Sequence, residues 1–255
     1  MQVWHMSGAG NDFMVLDARG KSLDFEKLAR ELCALSGADG FMAVDNAEDA
    51  DFTLHFYNSD GSRGEMCGNG SRCVCRFAYD NGIAGETMTV HTDAGLVPGW
   101  RLAENRYRVR LNEPSILDLH RRVDAAYVEL GCPGVPHGVV EVTGLEFDMQ
   151  EALRERGKAL RYDPAFPKGA NINFYSWIAP GKVRVLTYER GVEDYTLACG
   201  TGCGSTACVL DKLGLLVDGR LTCENQGGIL EVSRQPDGLF LEGGAEIVKV
   251  YELEI

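Results

Sequence analysis

The sequence predicts an α+β protein made of two similar halves related by a pseudo-twofold, each with short strands and one helix led by a cysteine. Two observations predict this. The first is a repeated motif: Glu65-Met66-Cys67-Gly68-Asn69-Gly70-Ser71-Arg72-Cys73 runs on through Val74 to Tyr79, and Leu197-Ala198-Cys199-Gly200-Thr201-Gly202-Cys203-Gly204-Ser205 runs on through Thr206 to Leu210. Both copies read Cys-Gly-x-Gly and then a helix-forming run. The glycines permit close approach of a ligand to the backbone, and Ser71 and Ser205 are placed as caps for the helices that follow. The second observation is the number of short alternating runs, which are strands of sheets exposed on one face. A repeated unit of this size predicts a site between two lobes.

The elements follow in order. Residues 13–18 (FMVLDA) read as a strand, and Phe25, Leu28, Leu32 and Leu35, with Gly37 after them, mark an amphipathic helix over 24–35. Residues 51–57 alternate as a strand and turn at Asn58-Ser59-Asp60-Gly61. The first cysteine-led helix is expected from about Ser71 to Tyr79, ending at Asn81-Gly82, with strands over 87–92 and 106–111. Asn112-Glu113-Pro114-Ser115 is where alternation stops and proline resists continuation, so the first half is set at 1–112 and the second at 113–245. In the second half, Gly169-Ala170-Asn171-Ile172-Asn173-Phe174 echoes Gly8-Ala9-Gly10-Asn11-Asp12-Phe13, and 182–188 echoes the strand that ends at Tyr57. Residues 148–151, with Gly157 following, read as a capping box and a short helix. Residues 94–105 and 133–138 read as turns and loops, and 247–253 alternates as a last strand.

A net charge of −13 argues against nucleic-acid or anionic-membrane partners. Residues 1–6 carry no basic or apolar leader, and no run approaches a membrane span, so the expectation is a cytoplasmic protein. Nine cysteines are an odd number in a chain with enough core to fold without staples. Cys33, Cys75, Cys132, Cys208 and Cys223 are expected to pack as reduced thiols. No metal site is expected, because Cys73, Cys75 and Cys208 fall inside predicted helices and residues two apart on a helix face different ways.

A cysteine just before a helix meets unsatisfied amides and the positive end of the helix dipole, which can hold a carboxylate and lower a thiol pKa toward ~3.5–7.5 in favourable sites. Two such thiols can serve one anionic substrate. Inversion of an amino-acid α-carbon, the reaction implied by the family resemblance stated below, needs a base on one face and an acid on the other. Paired thiols exchange those roles without asymmetry, and the amides at both helix starts can stabilise the carbanion through the substrate carboxylate.

These motifs, with Gly8-Ala9-Gly10-Asn11-Asp12-Phe13, 56–62 (FYNSDGS) and Tyr188-Glu189-Arg190-Gly191, resemble the diaminopimelate epimerases over nearly the whole chain. The resemblance implies a curved mixed sheet around the cysteine-led helix in each half, with the last strand, 246–255, rejoining the first. It implies interconversion of L,L- and meso-diaminopimelate for lysine and peptidoglycan synthesis, without pyridoxal phosphate or any other cofactor, by a homodimer acting on a small-molecule amino acid. It makes Cys67 and Cys199 the acid/base pair and Gly68, Asn69, Gly200 and Thr201 the carboxylate cradle. Asn11 is placed near the reacting amine, His137 near the thiols, and Asn58, Asn171, Glu189 and Arg190 at the distal end of the substrate, where Arg190 offers a fork to a carboxylate and Glu189 an anchor to an ammonium.

Two positions depart from the family pattern. Gly134-Val135-Pro136-His137 stands where many members read Gly-Asn-Pro-His, and Gly40 stands where some carry glutamine. Both weaken distal recognition while the reaction machinery stays complete. This leaves a racemase or epimerase of another amino acid as the alternative reading, with a non-catalytic amino-acid-binding protein as a rival of a different class.

Overall fold

The computed structural model describes residues 1–64 and 67–254. Glu65 and Met66 of the repeated motif, and Ile255 of the last predicted segment, lie outside the described residues. The chain forms two compact units, one of Met1–Arg110 with Glu242–Ile255 and one of Leu111–Leu241.

The first unit runs β1 (Gln2–Gly8), β2 (Asn11–Asp17), α1 (Phe25–Ser36), β3 (Gly40–Asp45), β4 (Phe52–Asn58), α2 (Gly68–Asp80), β5 (Thr87–Thr92), β6 (Gly95–Ala103) and β7 (Arg106–Leu111). Helix α1 begins where Asp24 accepts the Lys27 amide at 3.0 Å and ends at Gly37, whose φ of 77° is a left-handed cap. Its apolar face, with Leu28, Ala29, Leu32 and Cys33, is buried and packs on β2 and β3. Strand β1 pairs antiparallel with β2, β2 parallel with β3, β3 antiparallel with β4, β4 parallel with β5, and β5 antiparallel with β6. The buried helix α2 lies against β1, β2, β3 and β6.

The second unit runs β8 (Pro114–Arg122), β9 (Ala125–Gly131), β10 (Gly134–Glu141), α3 (Gln150–Arg161), β11 (Asn171–Ala179), β12 (Lys182–Glu189), β13 (Asp194–Thr196), α4 (Gly200–Lys212), β14 (Arg220–Asn225) and β15 (Gly228–Gln235), with β16 (Gly238–Gly244) crossing its end. Strand β9 pairs antiparallel with β10, β10 parallel with β11, β11 antiparallel with β12, β12 parallel with β14, and β14 antiparallel with β15. Helix α4 lies against β8, β9, β10, β11, β14 and β15. The last strand, β17 (Glu246–Glu252), pairs antiparallel with β1. The architecture is therefore two α+β units, each a mixed sheet around one cysteine-led helix.

The shared strand order makes β2, β3, β4 and β5 the counterparts of β10, β11, β12 and β14, with helices at the same two parallel crossovers. This corrects the echo between Gly8–Phe13 and Gly169–Phe174. Phe13 lies on β2, whereas Phe174 lies on β11, the counterpart of β3. The true partner of Asn171 is Gly40, since each stands one residue before the one facing the tyrosine of the next strand, Ile172 opposite Tyr188 and Phe41 opposite Tyr57.

Other expectations are corrected as well. Residues 95–103 and 134–141 are strands rather than loops; Pro98-Gly99 and Pro136 disguise them by interrupting the apolar pattern. Helices α2 and α4 start at Gly68 and Gly200, so Ser71 and Ser205 are buried inside helices and do not cap them. Helix α3 continues through Gly157 to Arg161, and Gly157 sits so close to Tyr188 that a Cβ would lie 3.1 Å from its ring. Cys132 is exposed, unlike the packed Cys33, Cys75, Cys208 and Cys223.

Candidate active site

Cys67 and Cys199 are themselves the N-caps of α2 and α4. Cys67 Sγ accepts from the Gly70 amide at 3.5 Å, and Cys199 Sγ accepts from the Gly202 amide at 3.3 Å and lies 3.5 Å from Thr201 Oγ1. A thiol thus takes the place that Ser, Thr, Asp or Asn usually holds. Sulfur in that position faces the amides at the helix start, where an anion is stabilised.

In the first unit, side chains of three segments form a hydrogen-bonded chain beside the start of α2. Asn69 Nδ2 donates to Asn11 Oδ1 at 2.5 Å, and Asn11 Nδ2 donates to Asp39 Oδ2 at 3.3 Å. Asp39 also accepts the Asp12 amide at 2.9 Å, and its carbonyl accepts from Ser59 N at 3.1 Å. Asp39 therefore ties the Asn11 turn to the turn that follows β4, where exposed Asn58 donates to Ser62 Oγ at 3.0 Å. The fully buried Arg72 reaches back along α2, donating to Gly68 O at 3.1 Å and Asn69 Oδ1 at 3.1 Å. Two contacts leave no room for side chains. A Cβ on Gly8 would lie 2.7 Å from the Asn69 carbonyl oxygen, and one on Gly40 would lie 2.7 Å from the Phe56 ring and 2.9 Å from Tyr57 O. The Gly40 contacts leave no place here for a longer side chain such as glutamine.

In the second unit Asn171 Oδ1 accepts the Arg190 amide at 2.8 Å, and Arg190 also donates to Lys168 O at 3.4 Å. Glu189 Oε2 accepts from Thr196 Oγ1 at 2.8 Å. His137 is fully buried on β10, directly opposite Asn171 on β11, with Nδ1 3.1 Å from Asn173 Nδ2. Val135 is half-buried on the same strand, facing Leu130 of β9. Burial pushes the Cys199 thiol well above its ordinary value, with the Glu189 carboxylate adding to the rise against the Thr201 and Gly202 hydrogen bonds. That corrects the expectation of a depressed pKa at this helix start, because removing the thiolate from water costs more here than the amides return. Burial and the Arg190 charge lower His137 to about 3, so it is neutral.

Asn11 and Asn69 are thus brought together with Cys67 in one unit, and His137, Asn171, Glu189 and Arg190 with Cys199 in the other. Sequence reasoning missed Asp39, Asn173 and Thr196. Asp39 stood beside Gly40 in plain view, but only the fold shows its carboxylate turned to the Asn11 turn.

Solved structures of amino-acid racemases and epimerases share this fold. A probable proline racemase from Agrobacterium radiobacter superposes with a TM-score of 0.73 over 100% of this chain and 93% of its own at 18% identity. A phenazine biosynthesis protein of the PhzF family from Bacillus anthracis gives 0.75 over 100% and 99% at 17% identity. The family model for diaminopimelate epimerase matches residues 3–116 and 132–248. A diaminopimelate epimerase of Aquifex aeolicus is 36% identical over 99% of this chain and 96% of its own, and one of Hydrogenobaculum is 35% identical over 99% and 97%. The chain belongs to the diaminopimelate epimerase family.

Proposed function

We propose that this protein is a diaminopimelate epimerase that interconverts the L,L and meso forms by two-base proton transfer, with Cys67 and Cys199 as the acid/base pair and no pyridoxal cofactor. The observation that carries this reading is the duplicated cap, a thiol accepting the amide of the third residue of its own helix in both units. Binding alone calls for neither thiol, whereas inversion uses both. Burial favours the protonated form of Cys199, and the two thiols exchange acid and base roles according to which isomer is bound. The amides of Gly68 and Asn69, and of Gly200 and Thr201, stabilise the charge that develops on the reacting carboxylate. Asn11 is oriented by Asp39 and Asn69 toward the reacting amine. Asn58, Asn171, Glu189 and Arg190 hold the distal end, with the Arg190 guanidinium on its carboxylate, and His137 supports the thiol chemistry. We place the enzyme in the cytoplasm as a homodimer, as the family resemblance implies.

A second reading, a racemase of another amino acid, is favoured by one observation: Val135, which the family resemblance sets at a position of distal recognition, is apolar. Turnover measured on diaminopimelate and on a panel of L-amino acids separates the two. The first reading predicts the highest kcat/KM on diaminopimelate. A monocarboxylic amino acid turned over faster would transfer the same chemistry to the second.

A further inference from the structure

The second unit carries a polar triad where the first has apolar filling. His137, Asn173 and Thr187 lie on β10, β11 and β12; the corresponding places on β2, β3 and β4 hold Phe13, Met42 and Phe56. Both sets sit beneath the third residue of a cysteine-led helix. A Cβ on Gly70 would meet Met42 Cε at 1.9 Å and Phe13 at 3.4 Å, and a Cβ on Gly202 would meet Asn173 Oδ1 at 2.1 Å. The first unit shows that the fold asks only for apolar volume here. Three buried polar groups in its place carry a desolvation cost that has to be met by mutual hydrogen bonds.

Those bonds form one directed chain. Thr187 Oγ1 donates to Asn173 Oδ1 at 2.9 Å, while Asn173 Nδ2 donates to Gly138 O at 3.0 Å and to His137 Nδ1 at 3.1 Å. A carbonyl oxygen has no hydrogen to give, so Gly138 O sets which end of the amide is NH2. With both amide hydrogens committed, His137 Nδ1 is the lone-pair nitrogen and the ring carries its proton on Nε2. That Nε2 is buried and, among the described residues, has no hydrogen-bond partner. A donor that is buried and unanswered is held ready for an acceptor that the chain near it does not supply.

We propose that Asn173 is a positioning residue that locks His137 as the Nε2–H tautomer, so that His137 serves the reaction as a hydrogen-bond donor to an anion and does not itself remove a proton. Its place in catalysis rests on the two-thiol reading above. The charged group that acts on the ring is Arg190 at the end of β12, and with burial it keeps the ring neutral; Thr187 and Asn173 carry no charge.

The test is nitrogen NMR of histidine-labelled enzyme, with the His137 signals assigned by their loss in His137→Gln. The expected wild-type spectrum has a pyridine-type Nδ1 and a pyrrole-type Nε2 that hold through neutral pH. Asn173→Asp replaces the NH2 by an oxygen that accepts from Nδ1, so the proton is expected to move to Nδ1 and kcat to fall about 10–100-fold with KM little changed, the scale seen for partners that orient a ring nitrogen. Thr187→Val, which removes only the bond to Asn173 Oδ1, should give a smaller loss with the tautomer retained. A wild-type His137 protonated on Nδ1, or charged at neutral pH, overturns the proposal, and it does so even if the aspartate variant fails to fold. Asn173→Asp with a switched tautomer and unchanged kcat overturns the catalytic role. The predicted spectrum alongside full turnover in Cys67→Ala or Cys199→Ala would instead sink the two-thiol reading and leave the tautomer lock standing.

Discussion

Gly8→Ala probes how tightly the proposed carboxylate cradle of the first unit is positioned. The added Cβ would lie 2.7 Å from the Asn69 carbonyl oxygen and 3.1 Å from Cys73 Sγ, against an ordinary contact of 3.4 Å or more. The Asn69 oxygen belongs to the first turn of α2, so it cannot swing away like the end of a flexible side chain; β1 or the start of the helix has to give way by several tenths of an ångström. Overpacking of this kind costs about 1–3 kcal/mol, and a displacement approaching 1 Å of a reacting group costs on the order of 100-fold in rate. The expected result is a lower Tm together with a kcat reduced roughly 10–100-fold on diaminopimelate. Gly85→Ala is the control, because its Cβ would meet nothing nearer than Thr87 O at 3.9 Å; its Tm should stay level or rise with the smaller unfolded-state entropy. Gly8→Ala with wild-type kcat would refute the argument that the Asn69 segment must be held in place, whatever happens to Tm.

Other perturbations test other parts of the account. Arg190→Ala should raise KM for diaminopimelate roughly 10- to 150-fold, the loss of about 1.5–3 kcal/mol for a hydrogen bond to a charged group, with kcat less affected. Val135→Asn should leave diaminopimelate turnover unchanged or improve it by about 0.5–1.5 kcal/mol; loss of the native activity would favour a different substrate. Burial raises Cys33 to about 11 and Cys73, Cys75 and Cys208 to about 12. The folded chain therefore keeps protons that the unfolded chain releases near the ordinary thiol pKa. Their contribution to stability is complete below that value and is lost as pH rises toward 11–12, so Tm should fall steeply above about pH 9. Replacing Cys208 by alanine should flatten that fall, and an unchanged slope would contradict the assignment.

Much of this architecture was legible because its signals are local. The helix over 25–36 announces itself by Asp24, its apolar spacing and Gly37, and the strands over 87–92 and 106–111 match their alternation residue for residue. The cysteine-led starts were visible because the motif occurs twice. What escaped was nonlocal. Residues 95–103 and 134–141 become strands because neighbours on both sides supply hydrogen bonds, which outweighs the local discouragement of Pro98 and Pro136. The sequence places the start of α2 three residues late because serine is the commoner cap and nothing in composition says that a cysteine will take its place. The false echo at Gly169 shows the weakness of matching short glycine-containing strings, since the real counterpart of Asn171 is a glycine with no side chain to match. The significance of Asn173 lies in Thr187, 14 residues away, and in the consecutive His137 and Gly138, 36 and 35 residues away, which only the sheet brings beside it.

The central claim is tested most directly by following solvent deuterium into the α-position of diaminopimelate with the wild-type enzyme, Cys67→Ala and Cys199→Ala, each starting from the L,L and the meso isomer. Two thiols that exchange base and acid roles predict that the wild type incorporates deuterium into the inverted product from both isomers, and that each alanine variant loses epimerisation from both, because one partner of every inversion is gone. Near-wild-type inversion in either variant would contradict the account.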